Sequence, residues 1–268
     1  LITSQGIVNA KGHWTNEERI DFLADVEIKE YKLNELLKNE ALGALSLSLH
    51  TNGSGEDINH LDMDLDANLN HFAFKDYPIN DLKLTAKIED GKGDLTTAYK
   101  DKNLDLTLDS YIEFDSVSPQ ASLHLNLIGA NLKNLGLSDR DIRTALVLDA
   151  DFEGNKNNYD IIATIGDGVF VYDDRTYLLG DVLATAYVES DTTSLWVDNK
   201  IARLRLESNA APETFVSSVR KYIRSYFSRK EPTISQNEKP VKMLVKGEIN
   251  EDPLLNKILL RKVEKLDT

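Results

Sequence analysis

The sequence predicts an all-β protein with a few short helices, folded as one elongated, curled antiparallel sheet. Three observations support this fold class. Apolar and polar residues alternate along most of the chain, the alternating segments end in Gly, Asn, Asp or Ser, and one pattern recurs after about 100 residues. Since successive side chains of a strand point to opposite faces, this alternation gives each strand one apolar and one polar face.

The strands are predicted at eight alternating segments, each followed by turn residues. They are ALSLSLHTNG (44–53), LKLTAKIEDG (82–91), NLDLTLDSYIEF (103–114), SLHLNLIG (122–129), ALVLDADFEG (145–154), VLATAYVES (182–190), ARLRLES (202–208) and KMLVKGEI (242–249). Apolar residues spaced by three or four predict short helices at 31–41 and 130–142 and a longer amphipathic helix at 211–227. Pro212 suits the first turn of the longer helix.

An internal repeat divides the chain. Segments 26–37, 44–53, 81–90 and 101–110 align with segments 125–137, 144–154, 181–190 and 199–208, at offsets of about 97 to 101 residues. A constant offset indicates two stacked units that share one core. The predicted organisation is the end of a preceding β-unit (1–19), two β-repeats (20–115 and 116–210), an amphipathic helix (211–228), a linker (229–240) and the start of a further β-unit (241–268).

One acidic segment resembles a metal site at first sight. Asp62, Asp64 and Asp66 occupy alternate positions, as the first three ligands of a calcium loop do. That loop also needs glycine at its sixth position and glutamate at its twelfth, where this chain has Ala67 and Ala73. The row of aspartates is therefore predicted to be the polar side of a strand.

Composition restricts the function. A net charge of −14 and a pI near 4.8 disfavour nucleic-acid binding, and the lack of cysteine excludes disulfides and thiolate metal sites. The five histidines form no metal-binding or catalytic motif, although carboxylate pairs such as Asp105 with Asp109 leave a glycosidase-like site open. We expect no enzyme activity, no catalytic residue, no metal and no cofactor. The chain also lacks an apolar run of the ~20 residues that a membrane helix needs, and we interpret it as part of something longer.

The predicted apolar face consists mainly of leucine. Its candidate members are Leu45, Leu47, Leu49, Met63, Leu65, Ala67, Leu69, Leu82, Leu84, Ala86, Ile88, Leu104, Leu106, Leu108, Leu123, Leu125, Leu127, Leu146 and Leu148. A second sheet covers such a face in a sandwich, whereas in a single curled sheet the face lines a trough. The sequence pattern leaves both open, because protein and acyl chains select the same side chains.

The order of these segments resembles a known family. Residues 42–115 and 127–155, together with TSLWVDNKIARLRLESNAAPETFVSSVRKYIRSYF (193–227), are similar to the repeat region of TamB-like proteins, relatives of AsmA. The resemblance covers most of the chain. It implies a β-taco with a hydrophobic groove, belonging to the inner-membrane component of the translocation and assembly module.

That resemblance sets the functional expectations. It implies a periplasmic segment of an inner-membrane-anchored protein, which conducts phospholipid toward the outer membrane, assists outer-membrane protein assembly and secretion, and meets a BamA-like barrel outside this segment. The candidate residues above would then contact phospholipid acyl chains. The alternatives are a closed structural or adhesin-like β-repeat that binds protein or sugar, and a chaperone that binds the edges of unfolded strands.

Overall fold

The protein forms one open antiparallel sheet, which confirms the predicted fold class. A computed structural model describes residues 2–3, 6–16, 19–75, 77–227 and 240–259. Within them, sixteen strands belong to a single sheet. In the same described residues, two helices interrupt the series of strands.

The strands follow one another along the chain. They are β1 (Ile2–Thr3), β2 (Gly6–Asn16), β3 (Ile20–Lys32), β4 (Leu42–Gly55), β5 (Leu61–Phe74), β6 (Tyr77–Glu89), β7 (Lys92–Lys100), β8 (Leu104–Glu113), β9 (Gln120–Asn131), β10 (Ile142–Gly154), β11 (Asn158–Tyr172), β12 (Arg175–Leu178), β13 (Val182–Glu189), β14 (Thr192–Asn199), β15 (Ala202–Ser208) and β16 (Met243–Ile249). The helices are α1 (Leu33–Leu37) and α2 (Pro212–Phe227), with a 3₁₀ turn at Ile58–His60 and a π-helical turn at Leu255–Leu259.

The order of strands in the sheet is the order in the sequence, apart from β12. Strands β12 and β13 lie end to end beside β11, and β16 pairs with β15. Tight hairpins produce this simple order. Asp90 and Gly91 between β6 and β7 both have positive φ, as do Asp173 and Asp174 between β11 and β12, which is the conformation of type I′ hairpin turns.

The strands of the two predicted repeats can be compared in order and spacing. Strands β3 to β8 correspond in order and offset to β9, β10, β11, β13, β14 and β15. Corresponding turns contain similar hydrogen bonds: the Asp101 carboxylate accepts from the Asn103 amide at 2.7 Å, and the Asn199 side chain accepts from the Ile201 amide at 2.9 Å. The sheet is continuous across the boundary between the two repeats, through the pairing of β8 with β9.

The prediction of a helix at 130–142 is wrong. That segment forms hydrogen-bonded turns, in which the Asn131 side chain accepts from the Asn134 amide at 3.0 Å and Gly136 has φ of 70°. Asparagine and glycine stabilise turns better than helix interiors, so local polar chemistry overrides the apolar spacing. Of the helix predicted at 31–41, only α1 forms. Lys38, which follows its last residue, has φ of 51° and ends the helix.

The three C-terminal segments of the predicted organisation have different outcomes. Helix α2 lies within the predicted 211–228 segment. The linker predicted at 229–240 and the last nine residues fall almost entirely outside the described residues. Strand β16, from the segment assigned to a further unit, pairs with β15 and therefore extends the same sheet.

Register shifts bend the sheet along one line. We call the side of the sheet with α1 and the 132–141 turns the α1 margin, and the opposite side, with the β6–β7 hairpin, the Gly91 margin. Shifts between β3 and β4, β4 and β5, β8 and β9, β9 and β10, and β10 and β11 all lie at a similar level near the α1 margin. Because bulges bend strands and increase twist, their alignment curls this margin.

Two small clusters pack along the curled α1 margin. One contains Tyr77, Ala130 and Leu135, and the other contains Ile142, Ile201 and Leu254. Leu254 is only 2% exposed, although it follows the edge strand β16. The clusters therefore attach the last described segment to the middle of the sheet.

Asp101 connects the strands at the α1 margin. One carboxylate oxygen accepts hydrogen bonds from the hydroxyls of Tyr77 and Tyr99, and the other accepts from the amides of Asn103 and Leu104 at 2.7 and 2.8 Å. Burial raises the pKa of Asp101, but these hydrogen bonds outweigh burial and hold the pKa below its ordinary value. The ionised carboxylate thus stabilises the fold.

We expect Asp101→Asn to lower the free energy of unfolding at neutral pH by about 1–3 kcal/mol, because a half-buried charged acceptor is lost. A lowered native-state pKa contributes stability that is present above the unfolded-state pKa and is lost as the pH falls through the native value. The difference between wild type and variant should therefore shrink below the ordinary pKa of 3.8. Urea unfolding at several pH values measures this, with exposed Asp139→Asn as the control; a pH-independent difference would contradict the assignment.

Candidate functional site

All nineteen aliphatic candidates lie on one face of the sheet, here called the apolar face. Directly opposed residues of paired strands point to the same face. A central row of such residues crosses eleven strands: Ala10, Val26, Leu49, Ala67, Leu84, Thr97, Leu108, Leu125, Leu148, Ile165 and Val182. Every candidate is either in this row or an even number of residues from it on the same strand, so the register brings the whole predicted set together.

Neighbouring rows are also uncharged. Toward the Gly91 margin, the next row contains Gly12, Ala24, Thr51, Leu65, Ala86, Leu95, Ser110, Leu123, Ala150, Ala163, Ala184, Val197, Leu204 and Gly247. The row beyond it contains Trp14, Phe22, Gly53, Met63, Ile88, Gly93, Ile112, Ala121, Phe152, Ile161, Ala186, Leu195, Leu206 and Val245. On the α1 side lie Val8, Ile28, Leu47, Leu69 and Leu82, and then Tyr99, Leu106, Leu127 and Leu146. No Asp, Glu, Lys or Arg interrupts these rows.

Most hydroxyl groups on this face bond to the sheet itself. Four of them donate to backbone carbonyl oxygens at 2.6 to 2.9 Å, and they belong to Thr51, Thr97, Ser110 and Thr193. The buried hydroxyls of Thr144 and Ser208, near strand ends, have no partner in the described structure. Because the hydroxyls in the central rows already donate hydrogen bonds to backbone carbonyl oxygens of the sheet, they add little polarity to the surface.

Burial differs between the middle of the apolar face and its margins. Of the candidates, Ala86 and Ile88 are 9% and 2% exposed, and the other seventeen are half-buried. Among the buried hydrophobic residues, all except Ala86 lie within two residues of a strand end or in a connecting segment. The apolar face therefore has packed margins, whereas its middle, the half-buried candidates that we call the floor, is partly exposed. No second sheet covers the face within the described residues.

Sequence reasoning missed part of this face. Strands β2 and β3 contribute Ala10 and Val26, and β11 and β13 contribute Ile165 and Val182. The alternation of IDFLADVEIKE (20–30) was the available signal for β3. In DIIATIG (160–166) apolar residues occupy both faces, so the period of two is hidden.

The opposite face is charged, and it holds the aspartates that resembled a calcium loop. Asp62, Asp64 and Asp66 are exposed on β5, whereas Met63 and Leu65 lie on the apolar face. This placement agrees with the strand interpretation. Among the described residues, no group of three or more acidic or histidine side chains could hold a metal ion.

Two histidines of the charged face form similar contacts. His50 Nδ1 lies 2.7 Å from Asp25 Oδ1, and His124 Nδ1 lies 2.6 Å from Asp149 Oδ1. Shallow depressions of about 620 and 500 Å³ surround these pairs, lined mainly by the polar and charged side chains of the same face. The side chains of these pairs are 49–57% exposed, and at such surfaces even full ion pairs contribute only about 0–1 kcal/mol each. They are consistent with a solvated outer surface.

Within the described residues, no helix has the length and apolarity that crossing a bilayer demands. Comparison of the chain with family models, with curated proteins and with solved structures finds no match.

Proposed function

We propose that this chain is a segment of a hydrophobic groove that carries phospholipid acyl chains along its apolar face. The observation that carries the proposal is the uncharged central row, which crosses eleven strands without a covering layer in the described part of the chain. With strands ~4.8 Å apart, this row extends roughly 50 Å, and four rows span about 20 Å. Such a surface is larger than the apolar patches that soluble monomers usually expose.

The residue types of the apolar face favour acyl chains over a protein as its binding partner. The floor consists mainly of aliphatic side chains and has few aromatic residues, whereas protein interfaces are enriched in aromatic residues and arginine. Each methylene group transferred out of water contributes about 0.8 kcal/mol, so a sixteen-carbon chain would lose on the order of 12 kcal/mol if it crossed water unprotected. A continuous apolar row avoids that cost.

The charged face has the complementary task of keeping an exposed single-layer sheet in solution. Acidic, basic and neutral polar side chains alternate on it, and the chain as a whole has a net charge of −14. Mutual repulsion between such faces opposes aggregation. In this proposal the segment lies between the inner and outer membranes, as the similarity to TamB-like repeats suggests, and other parts of that system would contact the barrel.

Native mass spectrometry of the purified chain, followed by lipid extraction, tests the proposal. We expect phospholipid adducts on the 30.1 kDa chain, because acyl chains would remain on the half-exposed floor. Protein that stays lipid-free after incubation with phospholipid vesicles would contradict the proposal. That result would instead favour the structural β-repeat that binds protein or sugar.

A further inference from the structure

One part of the charged face carries large uncharged side chains. Ile162 on β11, Tyr187 on β13 and Trp196 on β14 are 51%, 48% and 46% exposed. Thr185 on β13 lies directly opposite both Ile162 and Trp196, and Tyr187 follows two residues later on the same strand. Since residues two apart on a strand point to the same face, these four side chains form one continuous surface, here called the Trp196 patch.

The sheet itself does not require these residue types. At the same places relative to the central row, the corresponding strands β5, β6 and β7 carry Asp64, Lys87, Glu89 and Asp94. All four of these charged side chains are exposed. A cluster of exposed apolar side chains with a polar rim marks an interaction site on a soluble surface. The Trp196 patch is therefore a local feature of β11 to β14, and it indicates a binding surface.

The rim of the Trp196 patch is polar and mainly acidic. Asp151 and Asp160 are exposed and lie directly opposite members of the patch on the neighbouring strands. On the other side, Arg205 lies opposite Trp196 and donates to the Glu207 carboxylate at 2.9 and 2.6 Å. Carboxylates accept hydrogen bonds from hydroxyl groups and repel anions. The rim therefore suits an uncharged ligand that is rich in hydroxyl groups.

Size and chemistry distinguish between kinds of partner. Three strands and two residues along a strand span roughly 10 by 7 Å, whereas a stable protein interface covers about 800 Å² on each partner. A peptide gains main-chain hydrogen bonds at the edge of a sheet, but the Trp196 patch lies on a sheet face. A pyranose ring offers C–H groups that stack on the negative faces of aromatic rings, and hydroxyl groups that bond to carboxylates. A short oligosaccharide fits both the area and the residue types.

We propose that the Trp196 patch binds a neutral glycan. Trp196 and Tyr187 stack on its sugar rings. Asp151 and Asp160 accept hydrogen bonds from its hydroxyl groups. The patch lies on the charged face, opposite to the proposed lipid groove, so the inference is independent of lipid and stands or fails separately from the proposed function.

Isothermal titration calorimetry with two neutral trisaccharides, cellotriose and triacetylchitotriose, tests the proposal. We expect saturable binding of at least one of them, and no binding of the anionic trigalacturonate. Trp196→Ala and Tyr187→Ala should each weaken binding about tenfold or more, because each removes a stacking surface. Trp196→Asp should have the same effect and should keep its sheet in circular dichroism, since Asp94 holds the corresponding place on β7.

The second tryptophan supplies the matched control. Trp14 is 62% exposed on the apolar face, so Trp14→Ala should leave glycan affinity unchanged. The chain has two tryptophans, and in Trp14→Phe the fluorescence of Trp196 alone should change as the trisaccharide binds. If neither neutral trisaccharide binds, or if trigalacturonate binds equally well, the proposal is wrong. Equal weakening by Trp14→Ala and Trp196→Ala, or binding without a change in Trp196 fluorescence, would also overturn it.

Discussion

Replacing Leu108 by arginine is expected to remove bound phospholipid while the sheet stays folded. Leu108 is half-buried in the central row, between Thr97 and Leu125. A guanidinium there would have to be desolvated by an acyl chain, or would keep water on the floor. Loss of contact with even two methylene groups corresponds to about 1.6 kcal/mol, so bound lipid should fall roughly tenfold or more.

The neighbouring residue supplies the control. Asp109 follows on the same strand, is exposed and points to the charged face. Asp109→Arg makes a larger change in charge at almost the same place, yet it should leave lipid binding unchanged in native mass spectrometry. If Leu108→Arg unfolds, Leu125→Arg and the uncharged Leu108→Gln test the same row. Equal lipid content in folded Leu108→Arg and Asp109→Arg would show that the apolar face is not the binding site.

Truncating Leu254 is expected to have the largest effect on stability. Its side chain is 2% exposed and packs with Ile142 and Ile201, although all seven residues of the preceding strand β16 are exposed. Leu254→Ala would leave a cavity that costs about 2–5 kcal/mol in the free energy of unfolding. Exposed Leu244→Ala is the matched control and should cost much less.

The loss of stability in Leu254→Ala should also be local. In a sheet whose strands follow the sequence order, each strand mainly contacts its neighbours, so stability is distributed along the sheet as in repeat proteins. Amide hydrogen exchange should therefore accelerate in β15 and β16 and at the ends of β10 to β12, but not in β4 to β6. Uniform acceleration over the sheet would mean that the two repeats unfold as one unit.

Much of the fold could be predicted because its determinants are local. The alternation around Leu47 and Leu125 specifies which side chains share a face, and turn residues such as Asp90 and Gly91 specify hairpins. Neighbouring strands then pair in sequence order, and the apolar sets meet across the sheet. The 130–142 segment shows the limit, since hydrogen bonds of Asn131 and the conformation of Gly136 decide a turn where apolar spacing predicts a helix.

Other features depend on distant residues and could not be predicted. The burial of Leu254 against Ile142 joins positions that are far apart in the sequence, and the hydrogen bond from Tyr77 to Asp101 joins side chains 24 residues apart. Whether the leucines meet a second layer was also undecided, because acyl chains and protein select the same side chains.

The sequence by itself determined that the chain is an antiparallel sheet with one aliphatic and one charged face, since a period of two places alternate side chains on opposite sides whatever the tertiary arrangement. Only the tertiary structure decided that the aliphatic face lacks a second sheet within the described residues and that its margins are packed while its floor is half-exposed. Bulge alignment and packing between strands set those properties, and both depend on the register of residues that are far apart in the chain.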